Sequence, residues 1–137
     1  MPTHLLFVYG TLLQKDNEFG IYLKKHCAFL SAGKIKGRLY DIGEYPGLMF
    51  DAAGYFIHGN IYSVDTDDVL QVLDAYEGVG PLEDQPNLYQ RINCPIVTND
   101  GDKNAWVYVY NLPVEGSPEI TSGNYLEYIG QKKSPGS

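Results

Sequence analysis

The rest of the chain has to pack around an amphipathic helix, which we predict for residues 64–80, VDTDDVLQVLDAYEGVG. Asp65 or Thr66 can cap its first turn, and Gly78 can end its last one. Its apolar side chains recur at the spacing that lines one helical face, namely Val69, Leu70, Val72, Leu73 and Tyr76. We expect this face to turn toward the core.

Glu77 stands at the end of this helix, and two interpretations of it are open. If the helix persists that far, Glu77 falls on the apolar face, in line with Leu70 and Leu73, and its carboxyl is aimed at the core. Desolvation and the negative end of the helix dipole would then raise its pKa, which suits a general base. If the helix frays at Tyr76, Glu77 is an ordinary solvated residue.

Charge argues against a nucleic-acid partner. The 137 residues are 44% hydrophobic and carry a net charge of −7, with arginine at Arg38 and Arg91. Because phosphate binding needs a basic surface, we expect no nucleic acid. Six of the ten cationic residues do fall within residues 15–38. This cluster either attracts a small anionic substrate or is a solvated face.

Cysteine usage and hydropathy predict a soluble, cytoplasmic protein. Cys27 and Cys94 lie far apart without metal-ligand spacing, as is usual for reduced cysteines of the cytosol. The sequence has no run of the ~18 apolar residues that a membrane span needs, and its N-terminus lacks the pattern of a signal peptide. The histidines show no metal-ligand spacing either. We therefore expect neither a membrane partner nor a metal.

The pattern of apolar residues predicts an α+β fold. We predict a continuous apolar strand for residues 4–9, which stops at Gly10. This glycine either simply ends the strand or brings backbone N–H groups close to a ligand. Interior glycines at Gly37 and Gly59 mark the bends that barrels require. Further strands are predicted at residues 34–42, 48–50, 55–64, 88–97 and 105–110, and further helices at residues 17–27 and 121–128.

These elements predict a small mixed β-barrel flanked by two or three helices. The length fits a single domain over residues 1–130, with residues 131–137 as a disordered C-terminal tail. Residues 79–88 hold two prolines and no periodicity, so we expect a surface loop of the kind that covers a site.

Three motifs, in this order, resemble the γ-glutamyl cyclotransferase-like superfamily, which includes the γ-glutamylamine cyclotransferases and the plant AIG2-like proteins. They are FVYGTLL at residues 7–13, LDAYEGV at residues 73–79 and LYQRINCPIV at residues 88–97. YPGLMFD and HGNIYSV extend the similarity across most of the chain. The resemblance implies a compact barrel in which the YGTL turn forms the floor of a pocket.

The resemblance also implies the residues of a site. The family's catalytic glutamate corresponds to Glu77. Tyr89 and Arg91 resemble a pair beside the pocket that either touches the ligand or braces the barrel, and Tyr110 and Tyr125 resemble tyrosines that line such pockets. The segment that grips the substrate's glutamyl α-carboxylate corresponds to the backbone of Tyr9, Gly10, Thr11 and Leu12.

The implied chemistry needs no cofactor, and the implied partner is a small γ-glutamyl substrate with no obligate protein partner. The α-amino group of a γ-glutamyl amide or γ-glutamylamine attacks its own γ-carbonyl, which forms 5-oxoproline and expels the amine. Glu77 would serve as general acid and base. The N–H groups of the turn or a tyrosine hydroxyl would stabilise the oxyanion.

Two other functions fit the same features. One is a non-catalytic protein that binds a small amino-acid-like ligand or a protein partner, although a binder has no need of a core-facing carboxylate that lowers stability. The other is an acyl-transfer or hydrolase activity that uses the same pocket with water as nucleophile. A covalent route is disfavoured because no serine or cysteine stands in a nucleophile motif. The leaving amine and the oligomeric state are open.

Overall fold

The structure, a computed structural model, describes residues 4–10, 13, 17–43, 45–64, 67–80 and 85–132. Within these ranges six strands and three helices follow one another in the α+β arrangement that the sequence predicts. They are β1 (His4–Val8), α1 (Glu18–His26), β2 (Ala28–Asp41), β3 (Pro46–Phe50), β4 (Tyr55–Val64), α2 (Asp67–Glu77), β5 (Tyr89–Thr98), β6 (Gly101–Tyr110) and α3 (Tyr125–Lys132).

The strands form a sheet that closes into a mixed barrel. Their order is β3-β2-β4-β1-β6-β5, and a further pairing of Lys34 with Val97 joins β2 to β5. The neighbours β1 and β6 run parallel, whereas the other neighbouring strands run antiparallel. The strand β3 extends the sheet beyond the closed barrel by pairing with the last part of β2. The predicted barrel with flanking helices is therefore confirmed.

Alternation along the strands sends side chains into two separate cores. The barrel core fills the inside of the barrel and includes Phe7, Ile35, Leu39, Ile57, Ile61, Ile96, Ala105 and Val107. The outer core lies between the barrel and the helices α1 and α2 and includes Leu6, Val8, Leu23, Val64, Val69, Leu70 and Leu73. Because β1 contributes alternate residues to both, its C-terminal end lies where the two cores meet.

The helices α1 and α2 are joined at the last turn of α2. Asn17 caps α1, since its Oδ1 accepts a hydrogen bond from the N–H of Gly20 at 2.8 Å. Its Nδ2 donates to the hydroxyl of Tyr76 at 2.9 Å, and the ring of Phe19 stacks on that of Tyr76 with centroids 4.3 Å apart. These contacts fix the turn that carries Glu77.

The strand β2 is longer than the sequence pattern indicates. It begins at Ala28 rather than at residue 34, because residues 28–33 continue the ladder with β4. The register shifts between Phe29 and Ser31. A shift of this kind interrupts the alternation of side chains, so a search for period two misses this part of the strand.

The last helix also differs from its prediction. It covers Tyr125–Lys132 instead of residues 121–128. Asn124 caps it by accepting a hydrogen bond from the N–H of Glu127 at 3.0 Å. The helix enters the first two residues of the predicted tail, and residues 133–137 lie outside the described residues. Of the helices in the described ranges, none is long and apolar enough to cross a membrane.

Candidate active site

A narrow cavity opens where β1 ends. Its inner volume is about 20 Å³, room for about one water, and the empty space including the open mouth is about 310 Å³. It is lined by Phe7, Val8, Tyr9, Gly10, Pro46, Glu77, Tyr89 and Tyr108. The cavity therefore lies between the barrel core and the outer core, beside the end of α2.

Glu77 reaches this cavity because α2 persists to Glu77, three residues short of the end of its predicted range. Gly78 has a φ of +73°, a left-handed conformation that favours glycine. The N–H of Val79 donates to the carbonyl of Asp74 at 2.8 Å, and the N–H of Gly78 donates to that of Ala75 at 3.3 Å. This pair of hydrogen bonds is a Schellman motif. The interpretation in which the helix frays at residue 76 is therefore wrong.

Burial, and secondly the charge of Asp74, raises the pKa of the Glu77 carboxyl from 4.5 to about 8. Both effects disfavour the charged form. The direction agrees with the rise that the sequence predicts, and the charge of Asp74 is a cause that the sequence analysis did not name. A carboxyl with this pKa can exchange a proton with an amine near neutral pH.

Three buried tyrosines form much of the cavity wall. Burial is the largest cause that raises the pKa of Tyr9, Tyr89 and Tyr108, so their hydroxyls stay protonated. The hydroxyl of Tyr9 donates to the carbonyl of Tyr108 at 2.5 Å, and that of Tyr89 donates to the carbonyl of Pro46. Among the described residues that line the cavity, Glu77 is thus the one that titrates near neutral pH.

Gly10 lies against Pro46, at the start of β3. A Cβ atom at Gly10 would lie 2.6 Å from Cγ of Pro46, so the close approach of the two segments requires glycine here. The N–H of Leu13 donates to the carbonyl of Gly10 at 2.9 Å. The other two residues of the predicted carboxylate grip, Thr11 and Leu12, lie outside the described residues.

Arg91 is placed behind the wall and not on it. Its Nε donates to Oδ1 of Asp74 at 2.7 Å and its second terminal nitrogen to Oδ2 at 3.1 Å, a two-point ion pair between β5 and α2. The guanidinium also lies 4.5 Å over the ring of Trp106. Of the two alternatives left by the sequence, the structure supports bracing, because Arg91 is absent from the residues that line the cavity.

The sequence analysis missed Asp74, Tyr108 and Pro46. Asp74 lies off the apolar face of α2, so the periodicity assigned it to solvent. A signal was nevertheless present, because Asp74 precedes Glu77 by three residues, which brings two carboxylates onto neighbouring positions of a helix. Pairing of such a residue with one of the chain's two arginines cannot be deduced from periodicity alone.

The two remaining predicted tyrosines do not reach the cavity wall. The ring of Tyr110 packs edge-on against that of Tyr89, with centroids 5.5 Å apart, so it stands behind the wall. Tyr125 is buried in the barrel core, at the start of α3. Their binding of substrate stays a prediction, as does that of Arg91.

The described members of the cationic cluster of residues 15–38 do not supply a charge to the cavity wall, since the described residues that line it include no lysine or arginine. Lys34 and Lys36 lie over the ring of Phe56, at 4.3 and 4.9 Å from its centroid. Arg38 pairs with Asp51 at 2.7 Å and with Glu119 at 3.0 Å. Of the two interpretations, these described members of the cluster support a solvated face.

The ends of the predicted covering loop are joined beside Glu77. The side-chain Oδ1 of Asn87 accepts from the N–H of Gly80 at 3.0 Å, and its Nδ2 donates to the carbonyl of the same glycine at 2.9 Å. Asn111 donates to the carbonyl of Asn87 at 2.9 Å. Residues 81–84, between these ends, lie outside the described residues.

Comparison with known families and proteins gives consistent matches. The family model described as gamma-glutamyl cyclotransferase, AIG2-like matches residues 6–127. A gamma-L-glutamyl-butirosin B gamma-glutamyl cyclotransferase of Niallia circulans is 35% identical over 107 residues, 77% of this chain and 66% of that protein. The gamma-glutamylcyclotransferase family protein YtfP of Escherichia coli K12 is 31% identical over 125 residues, 89% of this chain and 96% of that one.

Solved structures match as well. The solution structure of E. coli YtfP superposes with a TM-score of 0.64 at 31% identity and covers 91% of this chain and 98% of its own. The crystal structure of YkqA from Bacillus subtilis has a TM-score of 0.72 at 27% identity over 97% of this chain. The chain spans 44% of YkqA and just under two thirds of the butirosin protein.

Proposed function

The chain belongs to the gamma-glutamyl cyclotransferase, AIG2-like family, as its motifs predict, and from this membership we propose that it cyclises a γ-glutamyl amide or γ-glutamylamine to 5-oxoproline. Glu77 is the general acid and base of the proposed reaction. The identity of the relatives and the match of the family model support the reaction class. The position of Glu77 supports its role.

The proposed reaction begins with proton transfer. The substrate's α-ammonium group binds opposite the Glu77 carboxylate, which removes one proton and makes the amine nucleophilic. The amine attacks the γ-carbonyl carbon, so a C–N bond forms within the substrate and the ring closes. Glu77 then returns the proton to the departing nitrogen as the original amide bond breaks, and the second proton that the ring nitrogen loses passes to the same amine, which leaves as an ammonium ion. Because both reacting groups belong to one bound molecule, orientation supplies part of the acceleration.

The observation that carries this proposal is a carboxyl of pKa about 8 in the wall of a cavity whose other described lining residues are apolar residues and protonated tyrosines. A base of ordinary pKa would hold a proton too weakly to take it from an ammonium group. Proton transfer from the ammonium group to the carboxylate gives a neutral amine and a neutral carboxyl. In the cavity, away from water, these neutral groups avoid the desolvation penalty of a separated ion pair. The cavity therefore favours the proton transfer that starts the reaction.

The test is release of 5-oxoproline from a panel of γ-glutamyl amides and γ-glutamylamines, with the wild type compared with Glu77→Gln. Glutamine keeps the size of the side chain but cannot accept the proton. We expect the wild type to turn over at least one panel member and the variant to lose about 10² or more of kcat, a typical general acid–base contribution.

The matched control is Glu115→Gln, the same chemical change at an exposed loop position. We expect wild-type turnover from it, with circular dichroism showing that both variants fold. Absence of 5-oxoproline from every panel member would contradict the proposed reaction. Binding of γ-glutamyl ligands without turnover would then favour the alternative of a non-catalytic binding protein. Full activity of Glu77→Gln would contradict the role of Glu77.

A further inference from the structure

Asp74 is held from three sides behind the cavity wall. Its two carboxylate oxygens receive the two-point ion pair from Arg91. Oδ1 also accepts a hydrogen bond from the hydroxyl of Tyr108 at 2.8 Å. Its carbonyl accepts the N–H of Val79 in the Schellman motif that ends α2. Its side chain is therefore fixed to β5 and β6, and its carbonyl is fixed within the end of α2.

The same contacts tie Asp74 to the residues of the cavity. Tyr108 lines the cavity, and its carbonyl accepts the hydroxyl of Tyr9, which lines it as well. Asp74 precedes Glu77 by three residues, a spacing at which helical side chains are neighbours. The ion pair is largely buried, with side-chain exposures of 22% for Arg91 and 18% for Asp74. Salt and water screen such a pair less than they screen a surface pair.

We propose that Asp74 is the positioning residue for Glu77. The fixed negative charge of Asp74, together with the helix end that its contacts brace, keeps the Glu77 carboxyl beside the cavity in a form that readily holds a proton. This inference rests on the proposed function for its catalytic meaning. It assigns Arg91 to Asp74 and not to the substrate.

Among the described residues, the other titratable groups that line the cavity with Glu77 are tyrosines, which carry no ionic charge at neutral pH. Tyr9 from β1, Tyr89 from β5 and Tyr108 from β6 surround it, and burial raises the pKa of each one. The charge of Glu77 itself adds to the rise in all three. In the described part of the chain, Asp74 is thus the charged neighbour through which the protein can adjust the basicity of Glu77.

The test is a titration of the Glu77 carboxyl, followed by carbon NMR in glutamate-labelled protein and assigned by its loss in Glu77→Gln. Asp74→Asn removes the negative charge and leaves Arg91 in place. We expect its titration midpoint to fall by about one pH unit or more. Arg91→Gln removes the positive charge that offsets Asp74, so we expect its midpoint to rise.

The opposite signs separate this proposal from a merely structural role. Both variants break the same ion pair, so a general loosening of the helix end would move both midpoints in the same direction. A midpoint that shifts equally in both variants, or that stays unchanged in Asp74→Asn, overturns the proposal. If Asp74→Asn does not fold, Arg91→Gln decides alone, because a rise supports the proposal and an unchanged or lower midpoint overturns it.

The titration needs no turnover, so it is independent of the proposed reaction. If the wild type releases 5-oxoproline, the same shift should appear in the rising limb of kcat/KM against pH, which moves to lower pH in Asp74→Asn. If no substrate is turned over, NMR still decides the role of Asp74. If Glu77→Gln is inactive but Asp74→Asn leaves the titration unchanged, the proposed function stands and this inference fails.

Discussion

At the scale of single residues, the stability of the protein should depend on the protonation of Glu77. Its pKa is about 8 in the folded protein against an ordinary value of 4.5. Between these values the folded state binds a proton that the unfolded state does not. Stability therefore decreases as pH rises from about 5 to about 8, by up to about 1.4 kcal/mol per pH unit.

This linkage can be measured by urea unfolding of the wild type and Glu77→Gln at pH 5, 6.5 and 8. Glutamine does not titrate. The free energy of unfolding of the variant should therefore increase relative to that of the wild type at each increase in pH. Glu115→Gln controls for the loss of an acidic side chain at an exposed site. If the difference in free energy of unfolding between the wild type and Glu77→Gln stays constant with pH, the pKa of Glu77 is not raised in the folded protein.

At the scale of elements, the end of α2 decides where Glu77 points. Gly78→Ala would place a Cβ in a left-handed conformation and 3.2 Å from Cβ of Leu88. We expect a loss of about 1–2 kcal/mol of stability, since the left-handed region has that cost for an L-residue. We also expect a lower kcat, because the Schellman motif that orients Glu77 is disturbed. Urea unfolding and 5-oxoproline release check both effects.

The comparison variant is Gly130→Ala in α3. A Cβ at Gly130 meets no atom within 4 Å, and its φ is not positive. Alanine should therefore leave stability equal or raise it by about 0.5–1 kcal/mol. Equal losses from the two substitutions would contradict a special conformation at residue 78.

The sequence predicts α2 well because its periodicity is long and its stop signal is local. The same pattern places Glu77 on the apolar face, and the structure adds that the helix persists far enough to use it. The helical period separates positions on the apolar face from positions off it, and Glu77 was found because it falls on that face. Asp74 was missed because it falls off that face, and the period says nothing about what a polar side chain contacts there. Its partner Arg91 lies on a strand, 17 residues away.

At the scale of the whole molecule, Tyr89 links β5 to β3 across the cavity. Its buried hydroxyl donates to the carbonyl of Pro46, and these strands have no backbone pairing with each other in the described sheet. Tyr89→Phe leaves that carbonyl without its donor, so we expect a loss of about 1–3 kcal/mol in the free energy of unfolding.

Urea unfolding measures this loss, with Tyr22→Phe as the comparison. Tyr22 is partly exposed, and its ring lies tilted against that of His26 of the same helix. Its change should stay within about 0.5 kcal/mol. If both variants lose the same stability, the hydroxyl of Tyr89 does not hold the two strands together.

Long-range contacts such as this one mark the limit of prediction from the sequence. The barrel class follows from alternating strands and interior glycines, and the motifs add the family. The pairing of Tyr89 with a carbonyl 43 residues earlier depends on how the strands are ordered, which no local pattern encodes. For the same reason Tyr108 entered the cavity wall unpredicted, while Tyr125 lies in the barrel core.

The most direct test of the central claim is the pH dependence of kcat/KM for 5-oxoproline release. In the free protein the carboxylate form of Glu77 must accept the substrate's proton, and its pKa is about 8. The account predicts that kcat/KM of the wild type rises about tenfold per pH unit between pH 5.5 and 7.5. The residual rate of Glu77→Gln should lack this rise. A wild-type profile that is flat over this range, or a rise that persists in Glu77→Gln, would contradict it.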